Sequence, residues 1–179
     1  MHFPYLELHV ITHCNMRCRA CNHASPLLKP QAVSVGSVKE DLRHINRLGI
    51  RASFIRILGG EPTLNPHLIE IINTVRQSNI VEAIHIVTNG TRLHRMDQSF
   101  WDAIDIAQIS LYPGVPIKCE ERHRSKLLII DSPLFKETFS YIRNQNNQKV
   151  TTILNKCTTR DNCRGIVNGR FTDSCGRLI

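Results

Sequence analysis

Apolar positions in this chain fall into two alternating patterns: short unbroken runs of strand length, and stretches where they recur every three or four residues. Residues 6–11 form the first run. Ser37, with Glu40 three residues on, is the capping box of a following helix whose apolar stripe is Val38, Leu42 and Ile45, with Gly49 as its stop. Residues 53–58 are a second strand. Asn65-Pro66 then starts a helix, a capping side chain ahead of a proline at the first helical position, and Leu68, Ile71, Ile72 and Val75 give it one buried face. Residues 81–87 form a third strand, ended by Asn89-Gly90. A short helix over 97–104 and a fourth strand over 106–111 follow. The later half reads as a fifth strand over 127–130 and a helix capped at Ser132-Pro133 carrying Phe135, Phe139 and Ile142. A sixth strand spans 150–154.

Strands separated by helices imply βα units and therefore an α/β fold with mostly parallel strands. Right-handed crossovers curl such units into a partial (β/α)6 barrel, with functional residues at the strands' C-terminal ends. The distinctive residues do follow strands: Cys14, Cys18 and Cys21 after the first, Gly59-Gly60-Glu61-Pro62 after the second, Asn89-Gly90 after the third. From residue 155 no periodicity survives. The reading is a barrel over 1–154 with a short Cys-rich C-terminal extension over 155–179.

Composition narrows the function. The 179 residues hold enough apolar content, 41%, for one core without disulfide staples. No run of eighteen apolar residues suggests a membrane span, and the N-terminus lacks the pattern of a signal peptide, so a cytoplasmic protein is expected. The net charge of +8 invites an anionic partner, but the basic residues are scattered and aromatics make up only 6%. That distribution disfavours nucleic acid. In a reducing compartment, six of seven cysteines falling in two groups, with Cys119 alone, point to metal or redox chemistry rather than to disulfides.

Cys14-x3-Cys18-x2-Cys21 places three thiolates on one short loop, enough for three corners of an iron–sulfur cube, and leaves the fourth iron open to a ligand. The alternative is zinc, with His13 or His23 as fourth ligand.

A C-x3-C-x2-C loop after a first strand, followed by Gly-Gly-Glu-Pro after a second, resembles the radical S-adenosylmethionine (SAM) superfamily over residues 6–112. The resemblance implies a [4Fe–4S] cluster on Cys14, Cys18 and Cys21, whose open iron chelates the amino and carboxylate groups of SAM. One electron, from a donor such as flavodoxin or ferredoxin, would cleave the sulfonium to methionine and a 5′-deoxyadenosyl radical that abstracts hydrogen from an organic substrate. It also implies that Gly59, Gly60 and Glu61 hold SAM's amino group, the glycines letting backbone approach the cofactor, and that Asn89 and Ser110 contact SAM. Ala20 stands where similar enzymes carry an aromatic residue beside the adenine, so only a backbone contact is expected there. No catalytic base is identified.

The tail contains Cys157, Cys163 and Cys175. Residues 163–175 resemble the start of the auxiliary-cluster modules called SPASM or twitch domains, in which two cysteines flank a hairpin, and Asn168-Gly169 independently suits its turn. That resemblance implies a second iron–sulfur cluster on the three cysteines, with Cys119, another group or substrate as fourth ligand. Structural thiols or zinc are the other reading. His9 and His85, inside strand patterns, are expected to pack rather than catalyse.

The function expected is a radical SAM enzyme that abstracts hydrogen from an organic substrate. The chain's small size favours a small polar metabolite or sugar. A peptide-modifying maturase is the alternative within the class, and a non-catalytic zinc or iron–sulfur module is the alternative outside it.

Overall fold

The computed structural model describes residues 1–18, 21, 23–131, 165–167 and 170–172. The first apolar run becomes β1 (His2–Ile11), longer than expected because its first residues pair with the start of β2 (Arg51–Gly59). Between them lies α1 (Val35–Arg47). Next come α2 (Leu68–Gln77), β3 (Val81–Thr88), α3 (Gln98–Ala103), β4 (Ile106–Leu111) and β5 (Leu127–Asp131). Two three-residue strands, β6 (Gly165–Val167) and β7 (Arg170–Thr172), complete the described elements.

All seven strands form one sheet in the order β5-β4-β3-β2-β1-β6-β7. Pairing is parallel from β5 through β1 to β6, and only β6–β7 is antiparallel. The α/β, mostly parallel, partial-barrel architecture is the one expected, with one difference in its strands. The sixth parallel strand described comes from within the tail, and β6 adds directly to the free edge of β1. The expected strand over 150–154, the helix opening at Ser132-Pro133 and the division at 154/155 lie outside the described residues.

Helix starts also shift. α1 is capped by Ser34, whose Oγ accepts the N–H of Ser37, so Ser37 lies inside the first turn rather than before it. The reason is packing: with Ser34 as cap, Val33 and Val38 flank it at the spacing of a hydrophobic staple, and both pack on the core. Asn65 acts just ahead of α2. Its Oδ1 accepts the N–H of His67, and its Nδ2 donates to Val10 O (2.8 Å) and Val33 O (3.2 Å), fixing the entry to α2 against the end of β1. Asp97, expected as the first residue of the helix over 97–104, instead caps α3 by accepting the Phe100 N–H. The β4–β5 connection carries no α-helix. A 3-10 turn over Glu121–Lys126 takes that place, with His123 stacked on Trp101 at 4.3 Å and Lys126 Nζ donating to the carbonyls of Trp101 and Ile104.

The sheet's two faces differ. Leu6, Leu8, Val10, Ile55, Ile57, Ile84, Ile86, Ala107 and Ile109 are buried in one core with Val38, Leu42, Ile45, Ile71, Ile72 and Val75 of the helices. The opposite face carries Tyr5 and Glu7 on β1, both buried, and the half-buried Phe54 and Arg56 on β2, His85 on β3, and Gln108 and Ser110 on β4. Among the described residues no helix is long and apolar enough to cross a membrane.

Ile71 is fully buried in that core, so Ile71→Ala should destabilise the fold by about 2–5 kcal/mol through lost contacts and a residual cavity. Leu48→Ala, at a residue 67% exposed, should change stability by less than about 0.5 kcal/mol. Urea titration of both variants checks the contrast, and equal midpoints would refute this placement of α2.

Candidate functional site

The site forms where β1 and β2 end. Gly60 N–H donates to Ile11 O (2.9 Å) and Glu61 N–H to His13 O (3.0 Å), so the chain leaving β1 lies directly over the two glycines. A Cβ on Gly59 would stand 2.2 Å from Ile11 O, and one on Gly60 would stand 2.0 Å from His13 O. Gly59 also has φ +144°, a conformation open to glycine and strained for other residues. Gly59-Gly60 is therefore demanded by this backbone crossing inside the protein.

Glu61 has no exposed surface. Its Oε1 accepts from Thr63 N (3.2 Å), Thr63 Oγ1 (2.6 Å) and Thr88 Oγ1 (2.7 Å), and its Oε2 accepts from Asn89 N (2.9 Å). A buried carboxylate needs such compensation, and here it binds the loop after β2 to the loop after β3.

Asn89 carries the tie onward to the cysteine loop. Its Nδ2 donates to Asn15 Oδ1 (2.8 Å) and toward Cys14 Sγ (3.7 Å), while its Oδ1 accepts from Thr91 N and Thr91 Oγ1. Asn15 Nδ2 in turn donates to Thr91 Oγ1 (2.9 Å). Cys14 Sγ also accepts the N–H of Met16 (3.3 Å). Cys14 is thus held from its own loop and from the end of β3.

Cys14, Cys18 and Cys21 line one cleft of about 290 Å³, with Gly59, Gly60, Asn89 and Ser110. Burial pushes the Cys14 and Cys18 thiols up, with Glu61 adding to the first and Cys21 to the second. Metal binding must therefore displace protons from them. Tyr112, bonded to Ser110, is pushed up to about 12 by burial and by Cys18. His9 and His23 meet edge to face at 5.1 Å, and burial lowers them to about 3 and about 4, so both are neutral near pH 7.

Comparison with known proteins decides what this arrangement is. The model of the radical SAM superfamily matches residues 8–115, more than half of the chain. The chain belongs to the radical SAM superfamily. Among relatives, a GTP 3′,8-cyclase of Actinobacillus pleuropneumoniae serotype 7 is 36% identical over 112 residues, 61% of this chain and 32% of that protein. Molybdenum cofactor biosynthesis protein 1 of Bos taurus is 32% identical over 123 residues, 66% of this chain and 19% of its own. The chain spans about a third of the length of the cyclases it matches. Among solved structures, BtrN in complex with AdoMet and 2-DOIA has a TM-score of 0.71 at 16% identity, covering 96% of this chain and 72% of that one. BtrN in an open conformation gives 0.63 at 17%, covering 93% and 66%. These likenesses establish a shared fold.

The radical SAM family implies a [4Fe–4S] cluster and SAM, and the donor set fits them. A cube takes one thiolate per iron, so its ligands must face a common cleft without closing on one point. A single zinc ion needs its donors to converge. Among the described residues no three His, Cys, Asp or Glu side chains do so. His13 Nδ1 is buried without a hydrogen-bond partner, and His23 packs against His9.

Ala20, Cys157, Cys163 and Cys175 lie outside the described residues, as does Asn168-Gly169, although β6 and β7 pair on either side of it as the expected hairpin requires. Cys119 packs partly buried against the core, its thiol pushed up by burial. His9 and His85 do pack, but on the cleft side of the sheet, His85 against Phe54 at 4.4 Å. The same cleft is lined by Glu7, Arg56, Thr88, Gln108 and Tyr112, none of which was expected. A signal existed: Glu7, Arg56 and Gln108 are polar residues inside otherwise apolar strand segments, and polar groups at such positions are either paired or functional.

Exchanging Glu61 for glutamine turns an amide N–H₂ toward one of the donors the carboxylate now satisfies. Glu61→Gln should cost about 1.5–3 kcal/mol, the worth of a hydrogen bond to a charged group. Thermal unfolding should show the loss, and an unchanged midpoint would remove Glu61 from the centre of the site.

Proposed function

We propose that this chain cleaves SAM reductively at a [4Fe–4S] cluster held by Cys14, Cys18 and Cys21, and abstracts hydrogen from a small polar organic molecule. The observation that carries the reading is the single cleft in which a three-cysteine loop, pinned by Asn89, meets the Gly59-Gly60-Glu61 crossing. When bound, cluster and SAM supply one-electron cleavage of the sulfonium and a hydrogen-abstracting 5′-deoxyadenosyl group.

The residues divide the remaining work. Backbone at Gly59, Gly60 and Glu61 meets the amino group of SAM, while the Glu61 carboxylate stays engaged with Thr63, Thr88 and Asn89. Asn89 orients Cys14, and Ser110 lines the cleft beside Tyr112. At Ala20 the adenine contact reduces to backbone. Polar side chains on the lining of the cleft, Glu7, Arg56 and Gln108, suit a small polar metabolite, and the maturase reading ranks second. Cys157, Cys163 and Cys175 are proposed to hold a second iron–sulfur cluster. Flavodoxin or ferredoxin in the cytoplasm would supply the electron.

Anaerobic reconstitution, reduction and addition of SAM should yield 5′-deoxyadenosine. Cys14→Ala, Cys18→Ala or Cys21→Ala should abolish that product together with the visible absorbance of the cluster. Iron content should be about eight per chain with both clusters and about four with the first alone, so replacing the three tail cysteines should halve it. A fully loaded cluster that leaves SAM intact would defeat the reading, and four irons in the unaltered chain would defeat the second cluster.

A further inference from the structure

The floor of the cleft is a polar tier that cluster and SAM do not account for. Parallel register sets Glu7 beside Arg56 and Arg56 beside His85, with Gln108 one tier nearer the cysteines, beside Val87. Glu7, Arg56 and Gln108 line the cleft. Arg56 Nη1 stands 3.6 Å from Glu7 Oε1, close enough to cancel charge but too long for a hydrogen bond. The guanidinium lies 4.3 Å over the Tyr5 ring and 5.7 Å from that of Phe54, contacts that use no N–H. Its Nε is buried without a hydrogen-bond partner. Among the described residues, then, rings and charge hold Arg56, and its donors are uncommitted.

We propose that Arg56 is the substrate-reading residue of this cleft and that, with Glu7 and Gln108 beside it, it takes a neutral polyhydroxylated ring, a sugar or a cyclitol. The proposal rests on the radical SAM reading above and names the substrate class for that site. Charge selects the class. Arg56 is the one Lys or Arg lining the cleft among the described residues, and Glu7 already offsets it. A phosphate brought to Arg56 would also meet the Glu7 carboxylate, and a triphosphate would meet no further Lys or Arg among the described lining residues. A hydroxyl suits both partners at once, because it accepts from a guanidinium and donates to a carboxylate. Gln108, able to donate and accept, serves a neighbouring hydroxyl in the same way. Hydrogen on a hydroxyl-bearing carbon would then lie in the cleft that the cysteines line.

Equilibrium dialysis of radiolabelled glucose and myo-inositol against the reconstituted, SAM-bound full chain tests this, with GTP and inorganic phosphate as competing probes. The unaltered chain should retain a ring polyol, and Arg56→Met should weaken retention by about ten- to a hundredfold, as expected for lost hydrogen bonds to a charged group. Arg56→Lys should fall between, keeping the charge without the fork. If Arg56→Met does not hold its fold by circular dichroism, Gln108→Leu carries the test, with a smaller loss expected. Three results would overturn the proposal: retention indifferent to Arg56, no retention of either polyol by a chain that cleaves SAM, or tighter binding of GTP or phosphate than of both polyols. The two readings fail separately. A chain that makes no 5′-deoxyadenosine loses the function proposed above, whereas one that makes it and ignores polyols loses only this assignment.

Discussion

Glu61 is shut off from solvent, and its carboxylate gathers donors from two loops that the chain otherwise keeps apart, Thr63 after β2 and Thr88-Asn89 at the end of β3. Through Asn89 the same network reaches Asn15 and Cys14 after β1. Three strand ends are therefore fixed relative to one another by hydrogen bonds that converge on one charge. The energetic logic follows from burial: a carboxylate removed from water is tolerable only when fully bonded, so the loops after β2 and β3 cannot drift apart without exposing an uncompensated charge, and the cysteine loop is tied to them through the Asn89 amide. Whatever the cysteines hold is positioned by that requirement. The glycine pair serves it too, because only without Cβ atoms can β1's exit lie close enough for Glu61 N–H to reach His13 O.

The fold was legible in the sequence where periodicity is local. Residues 106–111 and 81–87 read as strands because apolar runs of that length between turn signals have few other solutions, and β4 and β3 match them closely. Ser34 and Ser37 show the limit. Both are capping residues three apart, and only the packing of Val33 and Val38, a tertiary fact, selects the first. β6 was legible as one arm of the hairpin about Asn168-Gly169, but its pairing with β1 was not. Three residues carry no period, and their partner, β1, is more than 150 residues away in sequence, so nothing local signals a parallel pairing.

The candidate site divides in the same way. Cys14, Cys18, Cys21 and Gly59-Gly60-Glu61 stood out because their residue types are unusual at that spacing. How they are joined did not. Asn89 signals a turn in the sequence, and its hold on Cys14 appears only when β3 ends beside the cysteine loop. Gly59 and Gly60 stood out in the sequence for an approach to the cofactor, and nothing there signalled that backbone at Ile11 and His13 also demands them. Glu7, Arg56 and Gln108 escaped because a polar residue within an apolar run looks like an interruption until the sheet shows that all of them share one face.

That shared face bears on which relatives are informative about substrate. The GTP 3′,8-cyclases match this chain over 112 residues, 32% of the first of them, and the superfamily model matches residues 8–115, which hold the cysteine loop, the end of β1 and all of β2 to β4. Substrate recognition by a barrel depends on side chains that point inward from the strands, and these can change while the sheet-building residues stay. In this chain the inward tier is Glu7, Arg56, His85 and Gln108, whose described charges cancel. Burial, followed by the neighbouring Arg56, holds His85 below its ordinary value, so it adds no cation near neutral pH. A neutral floor beneath a cluster-binding loop suits an uncharged hydroxylated molecule, and the cationic surroundings a nucleotide triphosphate requires are not supplied by the described part of this cleft. Kinship to the cyclases therefore extends to the superfamily they share, while the floor of the cleft is where substrate recognition would diverge.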